Sequence, residues 1–169
     1  NAARNIDNMA VRDSLTGVYN RMGINRFVVD MVKQANTSRR RLLFVFADMD
    51  GLKKINDEFG HEAGDQAICL AAEALQEAFC EKELIIRYGG DEFLVVSDAL
   101  SWEQAEEKKV QIAALLKQWQ RDEKLPYRLS MSVGYYQKEP DTEASMEQYI
   151  NWADERMYEI KCKNREQRK

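Results

Sequence analysis

The sequence predicts one mixed α/β (α+β) domain built around a central sheet, and three observations carry that prediction. Leu42-Leu43-Phe44-Val45-Phe46-Ala47 is a continuous apolar, β-favouring run, the pattern of a central strand covered on both faces. Leu84 to Tyr88 and Phe93 to Val96 are two more apolar runs separated only by Gly89-Gly90-Asp91-Glu92, which reads as an antiparallel hairpin. Segments of helical periodicity lie between these strands, so helices can cover one or both faces of the sheet. With 169 residues, 44% hydrophobic content and two prolines, the chain can bury one sizeable core.

Residues 1–11 carry Ile6, Met9 and Val11 at loose helical spacing and read as the end of an incoming connector helix, with the globular domain expected over 12–169. Arg21 to about Ala35 forms a helix whose stripe is Ile24, Phe27, Val28 and Met31. The basic turn Arg39-Arg40-Arg41 precedes the central strand, which runs into Asp48 and Asp50. If extended geometry persists, these two project to one side and Met49 to the other. A short helix begins near Leu52 and yields to a polar loop around Gly60 to Gly64. The next helix runs from about Asp65 to Phe79. The paired glycines of the hairpin suggest the positive φ angles of a tight reversal. Ser101 with Gln104 makes a capping box ahead of a helix striped by Trp102, Ala105, Ile112, Ala113, Leu116 and Trp119. Tyr127, Leu129, Met131, Val133 and Tyr135 alternate as a strand. Ser145 with Gln148 caps a last helix striped by Met146, Tyr149, Ile150, Ala153 and Met157.

Composition narrows the function. Lys and Arg total 25 against 29 Asp and Glu, a formal charge of -4, so nucleic acid would meet a mildly repulsive field. A mononucleotide needs only a few placed cations and a metal ion. The three cysteines are widely spaced with no CxxC pair, which fits a reducing cytoplasm. No apolar run approaches the ~20 residues of a membrane span, so no direct membrane contact is expected from this segment. The chain opens on Asn1 rather than Met, and upstream sensor, regulatory or membrane-anchoring segments are expected.

The chemistry is expected where acidic groups meet. Asp48 and Asp50 end a buried strand, and Asp91 with Glu92 occupies a hairpin turn. Oxygens on neighbouring strand ends suit magnesium, which completes its shell from waters and substrate phosphates. Acidic residues at such places are also commonly just solvated, and composition alone leaves both readings open.

The order of motifs adds to this. Asp13-Ser14-Leu15-Thr16-Gly17-Val18-Tyr19-Asn20-Arg21, Asp48-Met49-Asp50-Gly51-Leu52-Lys53-Lys54-Ile55-Asn56-Asp57, Phe59-Gly60-His61-Glu62-Ala63-Gly64-Asp65 and the Gly89 to Phe93 turn follow one another. Ser132-Val133-Gly134 and Ala153 to Lys161 come after them. These blocks resemble, in order and spacing, those of the GGDEF domain family, the catalytic domains of diguanylate cyclases. The resemblance runs from Asp13 to Arg165 and implies a mostly antiparallel sheet with flanking helices, like the palm of nucleotide polymerases.

It also implies a reaction in which two GTP molecules become cyclic di-GMP and two pyrophosphates by phosphoryl transfer, with the site shared across a homodimer. By position, Asp48, the Met49 carbonyl, Asp91 and Glu92 would hold Mg2+, with Mn2+ as the substitute ion. Asp91 would be the general base, with Glu92 and Lys53 completing the catalytic set. Gly51, Leu52 and Lys53 would bind the triphosphate at a helix start, and Lys161 and Arg165 its terminal phosphates. Asn56 and Asp65 would read guanine, since an amide and a carboxylate match its donor and acceptor edge. His61 would contact GTP, and Gly89 and Gly90 would let the backbone approach it. The family's Arg-x-x-Asp product-inhibition site falls here on Cys80 and Glu83, and cysteine cannot supply a guanidinium fork, so that site is expected to be degenerate. The rival reading is a non-catalytic GTP-binding regulatory module.

Overall fold

The computed structural model describes residues 9–167, so the expected connector helix lies outside the described residues for positions 1–8. Met9 and Ala10 are helical, and Val11 is already buried. The first helix, α1, opens as a π-helical turn over Ile24–Val28 and continues over Val29–Thr37. There follow β1 (Leu42–Met49), α2 (Leu52–Phe59), α3 (His61–Ala78), β2 (Leu84–Arg87), β3 (Glu92–Ser97), α4 (Trp102–Asp122), β4 (Met131–Lys138) and α5 (Met146–Glu166).

The four strands form one antiparallel sheet in the order β2-β3-β1-β4, which places the fully buried β1 at its centre. Strand periodicity divides β1 between two cores. Leu43, Val45, Ala47 and Met49 join Ile55, Ala71, Leu75, Ile112 and Leu116 under α2, α3 and α4. Leu42, Phe44 and Phe46 join Val28, Tyr149, Ile150 and Met157 under α1 and α5. Both faces are therefore covered, as the unbroken apolar run of β1 requires. Ser101 closes the expected capping box with Gln104, and the Ser145 side chain accepts from the Gln148 amide.

Local expectations are corrected in four places. The segment 60–64 is not a loop: Gly60, at φ 90°, ends α2, and α3 starts at once at His61. Asp65 therefore lies in the first turns of α3 and does not begin it. The last strand begins at Met131; Tyr127 and Leu129 are buried but reach the core from irregular chain, where Gln120 accepts the Leu129 amide and Tyr127 donates to the Ala63 carbonyl. Trp102 and Ala113 are exposed, because the apolar stripe of α4 is narrower than its composition suggests. Finally, the glycines at positive φ among the described residues are Gly17, Gly51 and Gly60, so the Gly89-Gly90 turn needs no left-handed backbone.

Gly134 has a specific packing duty. A Cβ there would lie 2.1 Å from the Met157 backbone nitrogen, so α5 crosses β4 almost in contact with its main chain. That crossing carries the C-terminal half of α5 to the end of β1.

Candidate functional site

Strand pairing brings the acidic residues together. Asp48, the penultimate residue of β1, pairs directly with Glu92 at the start of β3, and the Met49 amide donates to the Asp91 carbonyl at 3.0 Å. The turn is thereby tied to the strand end, and carboxylate oxygens of Asp48, Asp91 and Glu92 lie within 4.8 Å of one another. Asp50 is not part of this cluster. Extended structure ends at Met49, and the two Asp50 oxygens accept from the hydroxyls of Ser132 at 2.7 Å and Ser130 at 2.8 Å.

The cluster is electrostatically loaded. Two unit charges at this separation repel by about 3 kcal/mol at the effective dielectric of a protein surface. Burial, opposed by Lys161 and assisted by Asp91, pushes the Asp48 pKa up to about 6. Burial also raises Glu92, with Asp91 and Asp154 adding to the effect. Lys161 of α5 supplies the compensating charge: its ammonium donates to Asp48 Oδ2 at 2.7 Å and to the Met49 carbonyl at 3.3 Å. The other oxygen, Asp48 Oδ1, is buried with no hydrogen-bond partner. An unpartnered buried carboxylate oxygen is costly unless something else binds it.

The turn is braced from behind by residues to which the sequence reading gave no role. The Arg87 guanidinium donates to the Gly90 carbonyl at 2.8 and 3.2 Å and pairs with Asp13 at 3.2 Å, with both side chains largely buried. Asp13 in turn accepts from the Thr16 amide and hydroxyl. Burial works to raise the Asp13 pKa, but Thr16 and Arg87 hold it below the usual carboxylate value. Asp13 stands in a motif block and Arg87 just ahead of the turn, yet no local pattern pairs positions 74 apart in sequence. Tyr88 packs edge-on against Phe46 and lies under the Arg21 guanidinium.

On the other side of β1, Gly51 adopts a left-handed φ of 72° and starts α2 directly after the acidic strand end. Leu52 is half-buried, while Lys53 projects from the first turn and is exposed. The tight α2–α3 reversal at Gly60 folds the two helices together. The Asn56 amide sits where a Cβ on Gly64 would be, at 1.8 Å, which places Asn56 beside the residue preceding Asp65. Asp65 and His61 are exposed on α3. Arg165, one turn beyond Lys161, is exposed, so these two cations share a helix but not an environment. At the expected product-inhibition position, the Cys80 thiol donates to Glu83 at 2.9 Å, and Glu83 is buried.

An antiparallel sheet covered on both faces, with clustered acids at the end of its central strand and a cation delivered by the last helix, defines an α+β domain with a candidate metal-binding corner. Residues 10–167 match the family model described as diguanylate cyclase, GGDEF domain, and the chain belongs to that family. It is 30% identical over 164 residues to the bifunctional diguanylate cyclase/cyclic di-GMP phosphodiesterase MucR of Pseudomonas aeruginosa, covering 97% of this chain and 24% of that protein. It is 33% identical over 157 residues to the diguanylate cyclase DgcP of Escherichia coli, covering 88% of this chain and 44% of that protein. The chain thus spans less than half the length of these curated relatives. Among solved structures, a microbial GGDEF domain described in a novel interaction mode with bis-(3′,5′)-cyclic di-GMP superposes with a TM-score of 0.77 at 31% identity, over 94% of each chain. Among the described residues, no helix is long and apolar enough to cross a membrane.

Proposed function

We propose that this chain is a cytoplasmic diguanylate cyclase domain that joins two GTP molecules into cyclic di-GMP, with release of two pyrophosphates, in a dimer of domains. The observation that carries the reading is the meeting of Asp48, Asp91 and Glu92 oxygens within 4.8 Å, one Asp48 oxygen being buried and unpartnered. An octahedral magnesium shell of about 2.1 Å puts opposite ligands about 4.2 Å and adjacent ligands about 3.0 Å apart, so the three side chains, whose oxygens lie within 4.8 Å of one another, would have to draw together around the ion. The donor set is all hard oxygen, which fits Mg2+ or Mn2+ held by the three carboxylates and the Met49 carbonyl. Bound there, the ion would polarise the α-phosphate and lower the pKa of the attacking hydroxyl.

The remaining work falls to the chain. Asp91 takes the proton from the 3′-hydroxyl of one GTP as it attacks the α-phosphorus of the other, and Glu92 adds negative charge to the same corner. Lys53 and the amides at Gly51 and Leu52, at the start of α2, bind phosphate oxygens, as do Lys161 and Arg165 from α5. Asn56 and Asp65 read the guanine edge, His61 contacts the nucleotide, and the bare backbone of Gly89 and Gly90 lets it lie close. Because each domain holds one GTP, two copies must face one another. Further sensory or regulatory domains, such as the greater length of the curated relatives accommodates, would set how often they do. Cys80 and Glu83 offer no guanidinium fork, so product feedback through that position is not expected, and calorimetry with cyclic di-GMP should detect no tight binding there.

Incubating the chain, alone and as a tethered dimer, with GTP and Mg2+ across a protein dilution series tests the reading. Cyclic di-GMP should form, with turnover per domain falling on dilution only for the untethered chain. Unchanged GTP in both forms, with guanine nucleotide still bound, would favour a non-catalytic regulatory module.

A further inference from the structure

We propose that Lys161 is a built-in competitor of the divalent cation, so that ion entry and capture of a nucleotide's terminal phosphates are linked through one ammonium group. The inference rests on the metal-site reading above and concerns what this side chain does to that site.

The Lys161 ammonium holds the Met49 carbonyl, which that reading gives to the ion, and Asp48 Oδ2, the oxygen beside the open Oδ1. Lys161 and Asp48 side chains are each 12% exposed, so the pair sits where solvent screens little. An ion bound at Asp48 Oδ1, Asp91 and Glu92 would bring two positive charges against this ammonium, and it would compete with it for the Met49 carbonyl and for the charge of the Asp48 carboxylate. The two arrangements oppose one another. The backbone of α5 is anchored by its packing, with Tyr149, Ile150, Ala153 and Met157 buried in the core and Met157 crossing close over Gly134, one helical turn before Lys161. Release therefore occurs by rotation of the flexible lysine side chain, which swings towards the exposed side of α5 where Arg165 lies.

Two consequences follow from linkage. Without nucleotide, Lys161 lowers the affinity of the acidic cluster for the ion. A polyphosphate that accepts the released ammonium removes this competition, so ion and triphosphate strengthen one another beyond their direct contact. Site assembly is thereby made conditional on both ligands being present.

The test uses Mn2+ alone. Binding to the wild-type chain, Lys161→Met and Asp48→Asn is followed at pH 8 by electron paramagnetic resonance without nucleotide, with circular dichroism and melting curves verifying the fold. Lys161→Met should bind Mn2+ about tenfold tighter than wild type or more, and Asp48→Asn should lose binding. Equal or weaker binding by folded Lys161→Met, with wild type still binding, would overturn the competition while leaving the metal site intact. No Mn2+ binding by any folded variant would refute the metal site and the competition together. The wild-type chain gives a second readout that needs no variant to bind. The Lys161 side-chain 13Cε–15Nζ resonance, assigned by its absence from Lys161→Arg, should move to the position of solvated lysines on adding Mg2+ alone, and a saturating titration that left it in place would overturn the proposal.

Discussion

Replacing Gly64 with alanine should separate guanine recognition from folding. Gly64 lies inside α3, and a Cβ on it would stand 1.8 Å from Asn56 Oδ1 and 2.8 Å from its Cγ. The amide must retreat by about 1.5 Å to reach ordinary van der Waals separation. Because the obstacle is the end of a flexible side chain, the helix itself need not move, and alanine in a helix interior gains up to about 1 kcal/mol over glycine. If Asn56 reads guanine as proposed, the guanine edge loses an aligned amide. Two hydrogen bonds at about 1 kcal/mol each amount to roughly 30-fold in affinity. Calorimetry with a non-hydrolysable GTP analogue should show that loss while the melting temperature stays level or rises. Wild-type affinity in a folded Gly64→Ala protein would refute the placement of Asn56 in the nucleotide site.

Other perturbations follow from the same geometry. Gly134→Ala puts a Cβ 2.1 Å from the Met157 nitrogen and 2.5 Å from its Cα. No side chain can yield there, so urea unfolding should show a loss of about 3 kcal/mol or more, and an unchanged midpoint would contradict the close crossing of α5. Asp13→Ala leaves the Arg87 guanidinium largely buried without its carboxylate. It should cost about 2 kcal/mol and speed amide exchange at the hairpin turn, and unaltered exchange would show that the brace is idle. Asp48 keeps its proton in the folded ion-free chain up to about pH 6 but releases it near 3.8 when unfolded. The folded state binds more protons in that window, so stability should fall as pH rises through it, by about 3 kcal/mol at most. Asp48→Asn should flatten this slope, and parallel profiles for the two proteins would rule the assignment out.

Much of this molecule is legible in its sequence because the relevant physics is local. The uninterrupted apolar run of β1 announces a strand buried on both faces, and Ser101 with Gln104 announces the start of α4 to the residue. Errors arise where tertiary contacts override local pattern. Gly60 and Gly64 bracket a short segment that reads as a loop, but Gly60 alone makes the reversal and Gly64 is bare to admit Asn56. Asp50 alternates with Asp48 in sequence, yet Ser130 and Ser132, some 80 residues away, claim its oxygens. The Asp13–Arg87 brace and the Lys161–Asp48 pair, 74 and 113 residues apart, have no periodic signature, and only the folded chain joins them.

The central claim is that Asp48 and the hairpin acids hold a divalent cation against a guanine nucleotide. Anomalous diffraction from crystals grown with Mn2+ and a non-hydrolysable GTP analogue addresses it directly. The account predicts a manganese peak within bonding distance of Asp48 and Asp91 carboxylates and of a nucleotide phosphate, with the guanine beside Asn56 and Asp65. Ordered nucleotide elsewhere, or ordered nucleotide at this site with no manganese between the carboxylates and its phosphates, would contradict it.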